Sequence, residues 1–254
     1  MRRLFPVSSD FAAADREWSL TELAEVYAYP EDAPVWLRAN MVSSLDGAAH
    51  VGSRSQPLSS EADMRIFGVL RALADVVVVG AETVRQEGYR PARAREAFAA
   101  RRRERGQTPA PAIAVLSVSL DLDFGQPLFT EPLTPTLILT GERAPAERVE
   151  AARAAGAQVV LAGPGAGAAP LDAVRALADR GLGRILCEGG PRVLASFAAA
   201  GALDELCLTL APRVALGDAP RVMEGKTELP VPRDFALGSL MEEAGFLFTR
   251  YRRS

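Results

Sequence analysis

The sequence predicts an α/β domain built on a mostly parallel sheet, and three observations point to it. Val76-Val77-Val78-Val79 is an unbroken β-branched run, the pattern of a strand buried on both faces. From residue 112 onward, short apolar runs alternate with longer stretches of helical periodicity, which implies crossover connections between parallel strands. Phe235–Leu240 and Phe246–Tyr251, with Gly245 between them, read as a terminal antiparallel hairpin.

Taken in order, residues 1–34 form a peripheral segment. Within it, Ser19–Tyr27 makes a short helix with Leu20, Leu23 and Val26 on one side, stopped by Pro30 and Pro34. Val35–Ser43 reads as a strand and Leu45-Asp46-Gly47 as a turn. Ser59 or Ser60 followed by Asp63 resembles a capping box, and Ile66, Phe67, Leu70 and Leu73 supply the apolar face of the helix it opens. Arg93–Arg105 carries six arginines with Phe98 as its large apolar residue. It reads as an exposed helix or a mobile loop, with a role in holding cofactor phosphate as the functional alternative. Strands follow at Ile113–Leu116, Leu137–Leu139, Gln158–Leu161 and Ile185–Cys187. Helices at Pro145–Ala155 and Pro170–Arg180 each have proline in the first turn and glycine just past the end. A further helix, Pro191–Ala200, leads into a strand at Leu206–Leu210. No linker divides the chain, so residues 35–254 are expected to form one domain.

Composition removes several kinds of chemistry. Among 254 residues there is one histidine (His50), one lysine (Lys226) and two cysteines (Cys187 and Cys207). A zinc site of His and Cys ligands needs three or four such residues together, and a Ser-His-Asp engine would have to use His50. The two thiols sit in apolar strand runs and read as packing. With 29 basic against 32 acidic side chains, no nucleic-acid or membrane partner is expected. The start shows no apolar signal region and no segment is apolar enough to span a bilayer, so a cytoplasmic protein is expected. An enzyme of this composition would take its chemistry from a cofactor.

In an open α/β sheet, ligands bind beyond the carboxyl ends of strands, where helix N-termini offer free N–H groups. Gly80-Ala81-Glu82-Thr83 follows the valine strand in this way. Glu188-Gly189-Gly190-Pro191 follows the Ile185–Cys187 strand and opens a helix. Paired glycines let a backbone approach an anion, and Glu188 either touches a ligand or faces water at a sharp turn. Gly163-Pro164-Gly165-Ala166-Gly167 lacks the spacing of a dinucleotide fingerprint and reads as a loop. Asp46 is either a turn residue or a functional acid.

These stretches in this order resemble the reductase domain of the bifunctional riboflavin-biosynthesis deaminase–reductase, a relative of dihydrofolate reductase. The similar pieces are Ser44-Leu45-Asp46-Gly47, Ser55-Gln56 with Leu58-Ser59, Leu70-Arg71-Ala72, Gly80-x-x-Thr83-Val84, Glu188-Gly189-Gly190-Pro191 and Leu203-Asp204-Glu205-Leu206, with Ala211-Pro212 and Gly217. They span residues 35 to 250. The resemblance implies a dihydrofolate-reductase-like sheet, NADPH as hydride donor, a homodimer, and reduction of an aminopyrimidine ribose phosphate.

Carried over residue by residue, it places Val42, Gly80, Thr83, Glu87, Ser117 and the run Gly189, Gly190, Pro191, Arg192, Val193 and Leu194 at the cofactor. Asn40, Ser55, Arg71 and Glu188 would face the substrate, with Ser55 and Arg71 suited to its phosphate. Asp46 and Glu188 are the candidates for a catalytic acid, and Arg143 for the cofactor 2′-phosphate. Three departures stand out. Asn40 replaces a basic residue, Glu87-Gly88-Tyr89-Arg90-Pro91 replaces an aspartate-proline-leucine run, and the zinc-deaminase motifs are missing. A stand-alone reductase is the leading expectation. Dihydrofolate reduction and a catalytically silent nucleotide-binding protein are the alternatives.

Overall fold

A computed structural model describes residues 1–7 and 17–254; residues 8–16 of the segment expected to be peripheral lie outside the described residues. One ten-stranded sheet organises the chain. Its strands are β1 (Arg2–Phe5), β2 (Trp36–Ser43), β3 (Val76–Gly80), β4 (Ala112–Leu116), β5 (Leu137–Thr140), β6 (Gln158–Leu161), β7 (Arg184–Cys187), β8 (Glu205–Leu210), β9 (Phe235–Glu243) and β10 (Phe246–Arg253). They lie side by side in the order β1-β9-β10-β8-β2-β7-β3-β4-β5-β6. From β8 through β6 every pairing is parallel. The terminal hairpin of β9 and β10 joins antiparallel to β8. The expected architecture, a mixed and mostly parallel sheet flanked by helices with an antiparallel hairpin at the C-terminal end, is therefore the one observed.

The valine strand shows why. Val77 and Val79 enter the apolar cluster on one face of the sheet, and Val76 and Val78 enter the cluster on the other. Alternate side chains of a strand point to opposite faces, so β3 needs apolar residues at every position. The first cluster is covered by α1 (Leu20–Val26), α2 (Glu61–Leu73), α3 (Ala81–Glu87), α4 (Glu96–Glu104), the short α5 (Pro127–Thr130) and α6 (Ala146–Ala154). The second lies under α7 (Pro170–Ala178) and α8 (Pro191–Ala199). The arginine-rich stretch is helical over α4 and is anchored by two buried residues, Phe98 and Arg102. Arg102 donates through Nη1 to Ala72 O and Ala74 O, both at 2.8 Å, which ties the helix to the end of α2. No helix among the described residues is long and apolar enough to cross a membrane.

Two features were not anticipated. The strand β1 carries too few residues to show periodicity and gains its conformation by pairing with β9 at the sheet edge. At the sheet centre, Glu205 on β8 is buried between Arg38 of β2 and Arg250 of β10, at 2.6 and 2.8 Å. Both guanidiniums also reach the C-terminal end of α1. Arg38 donates to Tyr27 O (2.6 Å), and Arg250 donates to Val26 O and to Ala28 O (3.2 Å). Carbonyls at a helix end lack intrahelical partners, and here two buried arginines supply them.

Candidate active site

The order β2-β7-β3 brings the carboxyl ends of three parallel strands together. A cavity of about 290 Å³ opens there, walled by Asn40, Met41 and Val42 of β2, Asp63 and Phe67 of α2, Thr83 and Glu87 of α3, Tyr89, and the turn after β7 from Glu188 to Pro191. The sheet order thus brings Asn40, Val42, Ser55, Thr83, Glu87, Glu188, Gly190 and Pro191, dispersed in the sequence, around one cavity.

The glycine turns have a steric cause. Gly80 N donates to Gly189 O at 2.8 Å, which clamps the end of β3 to the turn after β7. A Cβ on Gly190 would lie 2.8 Å from Thr83 Oγ1, one on Gly80 would lie 2.9 Å from Val193 Cγ2, and Gly189 has φ +88°. Only glycine fits at these positions without displacing a neighbour. The Gly189–Gly190 peptide is cis. Beside the cavity, and sharing Thr83, Gly190 and Pro191 with it, runs a groove of about 270 Å³ along Gly80, Glu82, Arg192 and Val193. Pro191 begins α8, so helix geometry leaves the N–H groups of Arg192 and Val193 free over this groove. Arg192 pairs with Glu82 (3.4 Å) and approaches Glu224 (3.9 Å) at the rim. Leu194 departs from its expected place: its side chain is fully buried in the core and its N–H donates to Gly190 O, so it serves the helix rather than the groove.

Glu188 is the anchor of the opposite wall. Its carboxylate accepts two bonds from Arg71, from Nε and from Nη2, both at 2.7 Å. It also accepts the Tyr89 hydroxyl, which in turn accepts from Arg71 Nη2 at 2.6 Å. Burial alone would lower the Arg71 pKa, but the Glu188 charge overcomes this and raises it; burial and the same carboxylate raise that of Tyr89. The guanidinium is therefore charged, the phenol is neutral, and both are committed to Glu188. Arg71 is absent from the cavity lining, where the resemblance had set it against a phosphate.

Asp63 was read in the sequence only as part of a helix cap. Half of that motif forms: Ser60 is the N-cap and accepts from Asp63 N at 3.1 Å. The carboxylate turns away instead, accepting Ser59 Oγ (2.5 Å) and Thr209 Oγ1 of β8 (2.7 Å) in the cavity wall. Burial raises its pKa above the ordinary carboxylate value against the opposing effect of those two donors. A buried carboxyl with a raised pKa inside a cavity is a mark of a functional group. The available signal was the helical spacing of Asp63, Phe67 and Arg71, which puts a carboxylate, a ring and a guanidinium on one helix face.

Asp46 has a different role. Its carboxylate accepts Ser44 Oγ (2.5 Å), Ala215 N (3.0 Å) and Leu216 N (2.7 Å), clipping the turn after β2 to the 213–217 loop. These donors lower its pKa to about 2, so it holds no proton to give at neutral pH and does not line the cavity. Asp46→Asn is expected to keep turnover within about tenfold of the parent, well short of the roughly 10²–10⁴ loss of a general acid. A steady-state assay checks this.

Ser55 and Glu87 both face the cavity and bond to each other, Ser55 N and Oγ donating to Glu87 Oε1 at 3.0 and 3.2 Å. Ser117, at the end of β4, is buried and accepts Leu120 N through Oγ. Arg143 lies exposed beyond β5 and donates from Nε to Pro164 O in the glycine loop (3.1 Å). Cys187 and Cys207 are free and buried, and burial pushes each thiol up to about 12.

Strand-end glycine turns here meet a cavity lined by the carboxyl groups of Asp63, Glu87 and Glu188, at the place where open α/β sheets generally carry their ligand sites. Residues 35–233 match the model of the RibD C-terminal domain, and the chain belongs to that family. No curated protein matches it. Among solved structures it is similar to a pyrimidine reductase-like protein from Corynebacterium diphtheriae, with 28% identity, TM-score 0.80, and coverage of 91% of this chain and 98% of that one. It also shares the fold of a deaminase/reductase from Thermotoga maritima (18% identity, TM-score 0.65, 87% of this chain and 57% of that one). The riboflavin biosynthesis reductase Rib7 of Saccharomyces cerevisiae is a third (14%, 0.58, 92% and 99%).

Proposed function

We propose that this chain is an NADPH-dependent reductase of a pyrimidine- or pterin-like small molecule, resembling the reductase of riboflavin biosynthesis. The observation that carries the reading is the close apposition of Gly80 and Gly190, where any Cβ would intrude on Val193 or Thr83, next to a cavity lined by carboxyl groups. The cradle fits a dinucleotide: Gly80, Thr83, Gly190 and Pro191 form its floor, and the first N–H groups of α8 suit its phosphates. A nicotinamide cofactor supplies hydride when bound. The chain's own residues orient the substrate at Glu188, exclude water with Met41 and Phe67, and present a buried carboxyl at Asp63. A cytoplasmic homodimer belongs to the same proposal.

Asp63 also favours a second reading. A buried carboxyl facing the cavity is suited to the ring N–H groups of a dihydropterin, so dihydrofolate belongs in the same assay as the aminopyrimidine ribose phosphates. NADPH titration followed by fluorescence tests the common part, and failure to bind at physiological cofactor levels overturns both readings. Binding without turnover of either substrate class would instead favour a silent nucleotide-binding protein.

Asp63→Asn separates the carboxyl's function from its packing. It is expected to cut kcat/KM by roughly 10²–10⁴ while NADPH affinity holds. Stability at neutral pH should stay level or rise, because a raised folded-state pKa stabilises at low pH and is a cost once pH passes it. Parallel kinetics and thermal melts across pH provide the check.

A further inference from the structure

The chain's one histidine stands where the cavity meets the groove. His50 lines both, together with Thr83 and Gln86 of α3 and Gly190 and Pro191 at the start of α8. The backbone around it is fastened on either side. Ala49 N donates to Pro220 O (2.9 Å) and Glu224 N donates to Pro191 O (3.3 Å), so residues 220–224 tie the segment carrying His50 to the first turn of α8. Beyond His50 the chain reverses through Val51 and Arg54, which bond to each other in both directions at 2.9 and 3.2 Å. Ser55 then fastens it to Glu87 of α3. Residues 49–55 therefore span the distance from the 220–224 strap to α3, with the imidazole at the junction of the two hollows.

Charge singles His50 out. Asp63, Glu87 and Glu188 line the cavity, and Glu82 and Glu224 line the groove. The one guanidinium in either lining, Arg192, already pairs with Glu82 at 3.4 Å and approaches Glu224 at 3.9 Å. The half-buried His50 ring makes no hydrogen bond or ion pair with the described residues. Histidine is the side chain that ordinarily changes charge between about pH 5 and 8. A pyrophosphate seated on the first N–H groups of α8 would meet these acidic walls, and a protonated imidazole is the one unpaired cation the linings can supply.

We propose that His50 is a cofactor-binding residue whose protonated ring pairs with the phosphates of the nicotinamide dinucleotide in the groove, so that cofactor affinity depends on pH through this one side chain. The inference rests on the reductase reading of the groove. Linkage fixes the sign: a ligand that prefers the protonated ring binds better as pH falls, and by the same factor strengthens the ring's hold on its proton. The carboxylates of Glu82, Glu224 and Glu87 favour the charged ring in the free protein as well, and Arg192 opposes it.

Calorimetric titration with NADP⁺ from about pH 8 down to about pH 6 tests this on the parent, His50→Gln and His50→Lys, without reference to turnover. On acidification the parent should gain about three- to tenfold in affinity relative to His50→Gln, the range between an exposed ion pair and a hydrogen bond to a charged group. His50→Lys should keep the tighter binding at the alkaline end. The 2′-phosphate of the cofactor itself titrates near about pH 6, equally for all three proteins, so the difference between them isolates the ring. In untagged protein the one histidine gives a single set of imidazole proton resonances, and NADP⁺ should move their titration to higher pH. Parallel pH profiles in the parent and His50→Gln, or a histidine titration that NADP⁺ leaves unmoved, overturn this inference while the reductase reading stands. Absence of NADP⁺ binding in all three proteins overturns both.

Discussion

Glu188→Gln is expected to lower kcat/KM by two orders of magnitude or more while NADPH affinity changes little, because the Glu188 side chain organises the wall facing the substrate. Its two oxygens accept Arg71 Nε, Arg71 Nη2 and the Tyr89 hydroxyl. A glutamine can accept on one oxygen only, and its amide would face donors it cannot satisfy. Arg71 is partly exposed and can rehydrate, so the stability loss should be modest, about 1–3 kcal/mol. The freed guanidinium and phenol would no longer define one surface against the substrate. Steady-state kinetics on folded protein, with a thermal melt alongside, separate the two effects. A loss of turnover no larger than the unfolded fraction would reduce Glu188 to a packing residue.

Glu205→Gln should be the most destabilising single change, by about 3–5 kcal/mol, since it leaves Arg38 and Arg250 charged, buried and unpaired. For a chain of this length that corresponds to a drop in Tm of roughly 6–20 °C. Burial alone would raise the Glu205 pKa, but Arg38 and Arg250 outweigh it and hold it down to about 2. A carboxylate with a lowered folded-state pKa stabilises above its ordinary value, and that stabilisation is lost as pH falls towards 2. The difference in Tm between parent and variant should therefore be full at neutral pH and shrink on acidification. Replacing all three residues by apolar ones would not restore the parent's stability, as such swaps sometimes do, because the two guanidiniums also satisfy the carbonyls of Val26, Tyr27 and Ala28. Differential scanning calorimetry over a pH series tests both statements.

How much of this was legible beforehand depended on distance along the chain. The valine strand, the helix with Leu177 buried and the terminal hairpin follow from local periodicity, and the glycine turns follow from their place after strands. The strand β1 could not be read, because its conformation comes from β9, more than two hundred residues away. Asp63 looked like a helix cap because Ser60 is adjacent in sequence, whereas its functional partner Thr209 arrives from β8. The same holds for Glu205, whose partners stand on two other strands. The resemblance set Arg71 against the substrate's phosphate; that its charge is held by Glu188 depends on a turn after another strand.

The position of β2 has a bearing on how the molecule comes into being. It lies between β7 and β8, which are made about 145 and 170 residues later, so the first strand of the cavity stays unpaired while most of the chain is being synthesised. Contacts of such sequence separation are slow to form, because a long loop must close before any of them is rewarded. The β3 to β6 half can assemble from neighbours, since each strand pairs with the next in sequence. The cavity, which needs β2, α2 and the Glu188 turn at once, is then among the last parts to take shape. Until β8 is released, the apolar edge of β2 is open to misplaced pairing.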